Sequence, residues 1–180
     1  MILIDPDLDP DPRPHSRAAT PGAAWGRSAL PWAERLPTPR TLNLFLCEAQ
    51  EAVRLRGQVT VLLTTDAAIR GLNRRFRSKN KPTDVLSFPA SNLLQSSKPA
   101  ERVAGDIAIS VETARRQAVG QGHALTCELK VLILHGLLHL AGYDHESDAG
   151  QMHRRERTLR DRLGLEQGLI ERGGTGGKKS

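Results

Sequence analysis

Three of the six histidines, His135, His139 and His145, fall within one short apolar stretch: His135-Gly136-Leu137-Leu138-His139-Leu140-Ala141-Gly142-Tyr143-Asp144-His145. Their type and spacing are those of a catalytic metal site. On an α-helix, His135 and His139 share one face, about 6 Å apart along the axis, so both imidazoles can reach one ion. Gly142 stands where that helix must stop, because glycine reaches the left-handed conformation that reverses a chain. The reversal can then deliver His145 as a third ligand. Three nitrogens leave one position of a tetrahedral ion open for water, which is the pattern of a catalytic zinc rather than a structural one. A lone histidine on an apolar helix is more often a core residue. A pair at this offset, followed by glycine and a third histidine, is much harder to reach by chance.

The same offsets occur in zinc proteases of the pattern H-E-x-x-H-x-x-G-x-x-H. There the glutamate takes a proton from the metal-bound water and passes it to the leaving amine. Here that position is Gly136, which has no side chain to move a proton. The cage is present without the peptidase base. Either another group supplies the base, or the ion's effect on its bound water suffices. A leaving group better than an amine, such as that of a phosphodiester, eases the second route.

A second cluster could meet such a substrate. Arg70, Arg74, Arg75, Arg77, Lys79 and Lys81 precede Pro82-Thr83-Asp84-Val85-Leu86-Ser87-Phe88-Pro89. A run like this can be nothing more than a solvated face. Read functionally, guanidinium groups bind phosphate oxygens bidentately and stabilise charge building on a phosphoryl centre. Arg74, Arg75, Lys79 and Lys81 are the candidate contacts to an RNA backbone. The net charge of +6 and a pI near 9.9 favour a polyanionic partner. Aromatic residues make up only 3% of the chain, so an extended base-stacking platform is not expected.

The elements that must position these residues read as one α+β domain, a small mixed four-stranded sheet with about five helices. The metal site sits on the long apolar helix and the turn after it. Ile2 to Ile4 can be a short first strand. Residues 1–40 are otherwise a proline-rich extension, mostly loop: residues 5–39 hold eight of the eleven prolines. Trp25 and Trp32 could pin it to the body. The domain proper spans 41–168, and 169–180 reads as a disordered tail. Thr38-Pro39 opens a helix that ends near Gly57. Gln58 to Thr64 is a strand, and Asp66 caps a helix carrying Ile69, Leu72 and Phe76. Strands follow at Asp84 to Phe88 and Asp106 to Val111, with a loop at 90–104 between them. Helices follow at Glu112 to Gly120, Thr126 to Ala141 and Ser147 to Leu163. Cys47 and Cys127 read as reduced core residues of a cytoplasmic protein. No apolar run reaches the roughly 20 residues needed to cross a membrane, and the N-terminus lacks the basic and apolar regions of a secretory signal.

Three of these segments together resemble the YbeY endoribonucleases, also called rRNA maturation factors. They are Leu72-Asn73-Arg74-Arg75-Phe76-Arg77 with Lys81 to Pro89, then Gly105-Asp106-Ile107, then His135 to His145. The resemblance covers roughly residues 41–165. It implies a single α+β domain with one zinc-type ion in a cleft. It also implies cytoplasmic cleavage of single-stranded regions of rRNA, in late maturation and quality control of the ribosome or its small subunit. Carried over by position, the ligands are His135, His139 and His145, and the functional arginine is Arg77. Arg77 is then expected across the cleft, stabilising transition-state charge. Asp144 and Glu128 are candidates for orienting a ligand or moving a proton. His15, His123 and His153 read as bystanders. Two rivals remain: a non-catalytic, metal-containing ribosome-assembly factor, and a metallopeptidase with its base recruited from elsewhere.

Overall fold

The computed structural model describes residues 1–8, 36–90, 102–144 and 148–165. Among them the elements run β1 (Ile2–Ile4), α1 (Pro39–Val53), β2 (Gln58–Thr64), α2 (Asp66–Arg77), β3 (Val85–Pro89), β4 (Val103–Ser110), α3 (Val111–Gln121), α4 (Leu125–Leu140) and α5 (Gln151–Arg162). The strands form one sheet in the order β1-β2-β4-β3. β1, β2 and β4 are mutually parallel, whereas β3 returns antiparallel along β4, pairing Val85 with Ile109 and Ser87 with Ile107. The sheet is therefore mixed, as expected. The start of the chain belongs to it, because Ile2, Leu3 and Ile4 pair with Val61, Leu62 and Leu63.

Period-two alternation gives the sheet two apolar faces. Val61, Leu63, Ile107 and Ile109 are fully buried and join the main core with α1 and α4. On the other face, Leu86 and Ala108 form a smaller cluster with Ile69 of α2, flanked by Leu72 and Phe88. α4 is buried almost all round: Leu129, Ile133, Leu134, Leu137 and Leu138 have no exposed surface. A helix with apolar residues on every side belongs inside a core. Its half-buried positions are Thr126, Cys127 and Lys130 near its start and His135 and His139 near its end.

Several boundaries differ from the sequence reading for local reasons. α1 ends at Val53, because Arg54 takes the left-handed conformation (φ 66°) and donates its N–H to Gln50 and Glu51 carbonyls. Gly57 instead serves the turn into β2, at φ 107°, where a Cβ would come within 3.0 Å of Ala104 N and Arg102 O. The cap of α2 is Thr65, whose hydroxyl accepts from Ala68 N, and Asp66 is the first helical residue. β4 begins earlier than expected, at Val103, and α5 begins later, at Gln151. Cys47 is exposed and Cys127 half-buried, so the reading of both as core residues is corrected; neither forms a disulfide. Cys47 lies on the outer side of α1, where Leu44 and Glu48 are also exposed. The expectations for His15, Trp25, Trp32, most of the 90–104 loop and the tail fall outside the described residues. Among those that are described, no helix is long and apolar enough to cross a membrane.

Candidate active site

α4 ends as the glycine in the histidine segment requires. Gly142 has φ 89° and donates to His139 O, and Tyr143 N donates to Leu138 O. That pair of bonds closes a helix through a left-handed residue. One turn before this end, His135 and His139 point into a cleft of about 490 Å³. Their Nε2 atoms lie 3.1 Å apart. Two nitrogens bound to one tetrahedral ion at 2.0–2.1 Å would stand about 3.3 Å apart. The two rings therefore hold their lone-pair atoms close to the spacing that a shared ion demands. His145 lies outside the described residues, and no group of three metal-type ligands assembles among those that are described.

Behind His135 stands a residue that the sequence reading did not single out. Glu156 of α5 places Oε2 3.1 Å from His135 Nδ1, while its Oε1 accepts from Arg160 at 2.8 Å. Burial works to raise the Glu156 carboxyl, but the His135 hydrogen bond and the Arg160 charge outweigh it and hold the group below its ordinary range. Nothing in the histidine spacing points to Glu156, which sits on the following helix. Its i,i+4 pairing with Arg160 was the only signal in the sequence.

Glu128 lines the same cleft but does not reach the histidine pair. It precedes His135 by seven residues, about 10 Å along the helix axis. Its Oε2 lies 2.5 Å from His123 Nε2, and both side chains are buried. Burial pushes the Glu128 carboxyl up, and the nearby Asp84 adds to this, against the opposing pull of His123. The geometry places Glu128 with His123, not with His135, and His123 is a buried partner rather than a loop bystander. Asp144 is exposed, just past the helix end, and its carbonyl accepts from Asp148 N. His153 is exposed on α5.

The absence of a side chain at position 136 also has a packing cause. A Cβ on Gly136 would meet Ile107 side-chain carbons at 2.9 Å. α4 lies so close to β4 that position 136 faces the sheet, and its carbonyl accepts from Ser87 Oγ at 3.3 Å. No general base can stand there.

Arg77, Lys79 and Lys81 line the same cleft as the histidines, with Asn73, Thr83 and Asp84. Arg77 is the last residue of α2, and the left-handed Ser78 (φ 57°) turns the chain after it. Asn73, only 2% exposed, donates from Nδ2 to Lys81 O at 2.8 Å and so holds the loop against the helix. Arg74 and Arg75 lie outside the cleft, where the Arg75 guanidinium sits 5.3 Å over the exposed Phe76 ring. Also in the cleft lining, Gln117 donates to Asp84 Oδ2 at 2.9 Å.

An α+β domain whose long helix turns a histidine pair into a cleft that arginine and lysine also line has the build of a histidine-centred hydrolase for an anionic substrate. The family model described as endoribonuclease YbeY matches residues 39–164, and the chain belongs to that family. Among proteins named endoribonuclease YbeY, the one from Koribacter versatilis (strain Ellin345) is 53% identical over 133 residues, 74% of this chain and 82% of that protein. The one from Solibacter usitatus (strain Ellin6076) is 50% identical over 131 residues, 73% of this chain and 83% of the relative. The one from Sulfurovum sp. (strain NBC37-1) is 41% identical over 140 residues, 76% and 95% of the two chains. The span of the family model, 39–164, takes in both the histidine segment and the basic wall.

Proposed function

We propose that this chain is a metal-dependent endoribonuclease that cleaves single-stranded regions of rRNA in the cytoplasm, during late maturation and quality control of the ribosome. The observation that carries the reading is the convergence of the His135 and His139 Nε2 atoms, 3.1 Å apart, in the same cleft as Arg77, Lys79 and Lys81. His135, His139 and His145 would hold one zinc ion, or another divalent transition metal that accepts imidazole. When bound, such an ion supplies Lewis-acid chemistry at a phosphoryl oxygen and lowers the pKa of water.

The chain's own residues do the rest. Arg77 lines the same cleft as the histidines and would meet the negative charge that builds on phosphoryl oxygens in the transition state. Lys79 and Lys81 hold the RNA backbone along the same wall, and Arg74 and Arg75 extend the basic surface beyond it. Glu156 orients the His135 ring. The peptidase reading loses its base for a steric reason, because Ile107 occupies the space beside Gly136.

The test compares wild type, His139→Ala and Arg77→Ala, purified identically, on unstructured RNA, a stable hairpin and casein, with and without a chelator. Wild type is expected to cleave the unstructured RNA and to lose that activity with the chelator. His139→Ala should lose metal and cleavage together, and Arg77→Ala should keep metal and lose cleavage. Equal RNA cleavage by all three proteins would expose a contaminating nuclease and favour the ribosome-assembly reading. Casein hydrolysis would restore the peptidase.

A further inference from the structure

A neutral imidazole carries one proton, and the nitrogen that holds it cannot bind a metal. His135 must therefore keep its proton on Nδ1 if Nε2 is to serve an ion. Left to itself in water, a histidine side chain samples both tautomers. In this fold the choice is made by α5. Glu156 Oε2 stands 3.1 Å from Nδ1, and Nε2 is turned to its counterpart on His139.

Two features separate this contact from an ordinary surface ion pair. The Glu156 side chain is only 12% exposed, so its oxygen is taken from water and given to the ring. Its second oxygen is held by Arg160 at 2.8 Å, one helical turn along α5. A carboxylate gripped on one side by a guanidinium has its free side fixed in direction. The 26% exposed His135 ring is then set at a defined angle in the cleft wall.

We propose that Glu156, braced by Arg160, is a positioning residue that locks His135 as its Nδ1–H tautomer and thereby sets the affinity of the histidine site for its ion. This rests on the metal reading above. Glu156 touches neither substrate nor ion; it acts through His135. An outer carboxylate of this kind changes metal affinity about 10- to 100-fold when removed.

The full-length protein tests this with two readouts that need no catalysis. The first is zinc ion affinity, measured by competition with a chromophoric chelator. The second is the tautomer of His135 in metal-free, 15N-labelled protein, read from long-range nitrogen–proton correlations and assigned with His135→Gln. Wild type should show Nδ1–H at His135. The isosteric Glu156→Gln and the truncated Glu156→Ala should both shift toward Nε2–H and bind zinc ten- to a hundredfold more weakly. Arg160→Ala should show a smaller loss in the same direction. Thermal melts of the metal-free proteins separate these effects from lost folding, and Glu156→Gln, with the same shape, serves if Glu156→Ala is unstable. An Nε2–H ring in wild type, or variants that bind zinc as wild type does, would overturn the role of Glu156. A wild type that binds no zinc would instead overturn the metal reading beneath it.

Discussion

The two walls of the cleft are built on opposite terms. The α4–α5 wall is interlocked. His135 contacts both His139 and Glu156, Glu156 is held by Arg160, and the helix behind them is mostly buried. The α2–β3 wall is the reverse. Arg77, Lys79 and Lys81 are exposed, and their charged ends have no hydrogen-bond or ion-pair partner among the described residues. Only their backbone is fixed, by the left-handed turn at Ser78 and by Asn73. A cage must hold nitrogens to within a fraction of an ångström, so it is built on a buried helix. A wall that meets a flexible polyanion needs charge and reach, and long side chains on a tethered loop provide both. Substitutions on the first wall should thus cost folding and metal, and those on the second should cost substrate handling.

The strongest challenge to this contrast is Gly136→Glu, which restores the peptidase pattern in the letters of the sequence. The new Cβ would start 2.9 Å from Ile107, and the carboxylate would be forced into an apolar contact. Overpacking and an uncompensated charge together should cost more than about 3 kcal/mol. Chemical denaturation measures this directly. A variant that keeps wild-type stability and digests casein would show that position 136 faces the cleft, and that the α4 wall is misread.

Next in size is Arg77→Ala. Loss of one group that stabilises developing charge slows cleavage about 10²- to 10³-fold. Because Arg77 is exposed and its side chain braces nothing, the melting temperature and metal content should stay at wild-type values. A parallel drop in stability would show that the second wall carries structure as well as charge.

Asn73→Ala probes the tether rather than the charge. The buried amide holds Lys81 O, so its loss leaves that carbonyl unpaired and should cost about 1–3 kcal/mol. The more telling reading is kinetic. A loosened loop should raise KM for RNA more than it lowers kcat, and zinc affinity should not move. Equal losses of both parameters would place Asn73 in the chemistry.

The histidine half of the site was legible because helix geometry turns sequence spacing into spatial spacing. Positions 135 and 139, and a glycine at 142, are enough to write α4, its end and its polar face. The strands were legible as short β-rich runs such as Gln58 to Thr64, and the one at the chain start as the apolar run Ile2 to Ile4. Glu156 was not, because its contact with His135 depends on how α5 packs across α4, and no local period encodes that angle. Glu128 failed in the opposite way. Its face on α4 was readable, but not the distance along the axis or the buried His123 that takes its carboxylate. Gly136 was read correctly as lacking a base, yet the cause, the side chain of Ile107, lies on a strand far away in the chain.

The smallest effect concerns the footing of the basic wall. Asp66 opens α2 and accepts from Ser110 Oγ and Thr113 Oγ1, at 2.5 and 2.7 Å, and from Arg116 at 2.8 Å. These contacts tie the start of the arginine-bearing helix to the start of α3. Burial works to raise the Asp66 carboxyl, but the Ser110 and Thr113 hydroxyls and the Arg116 guanidinium prevail and hold it below its ordinary range. A lowered folded pKa means that the ionised form stabilises the fold. That contribution is complete above the unfolded value of about 3.9 and is lost as pH falls through the folded one. Asp66→Asn keeps an oxygen for the hydroxyls, removes the charge, and turns the acceptor of Arg116 into an amide nitrogen. Arg116 is 62% exposed, so its share is screened and small. The expected loss is about 1 kcal/mol near pH 7, the difference between a charged and a neutral acceptor. Denaturation curves for the two proteins should start to converge as pH falls below about 3.9 and meet only below the lowered folded value, where wild type gives up the same charge. A gap that persists undiminished to pH 3 would mean that the footing depends on shape rather than charge, and that the basic wall rests on packing as its opposite does.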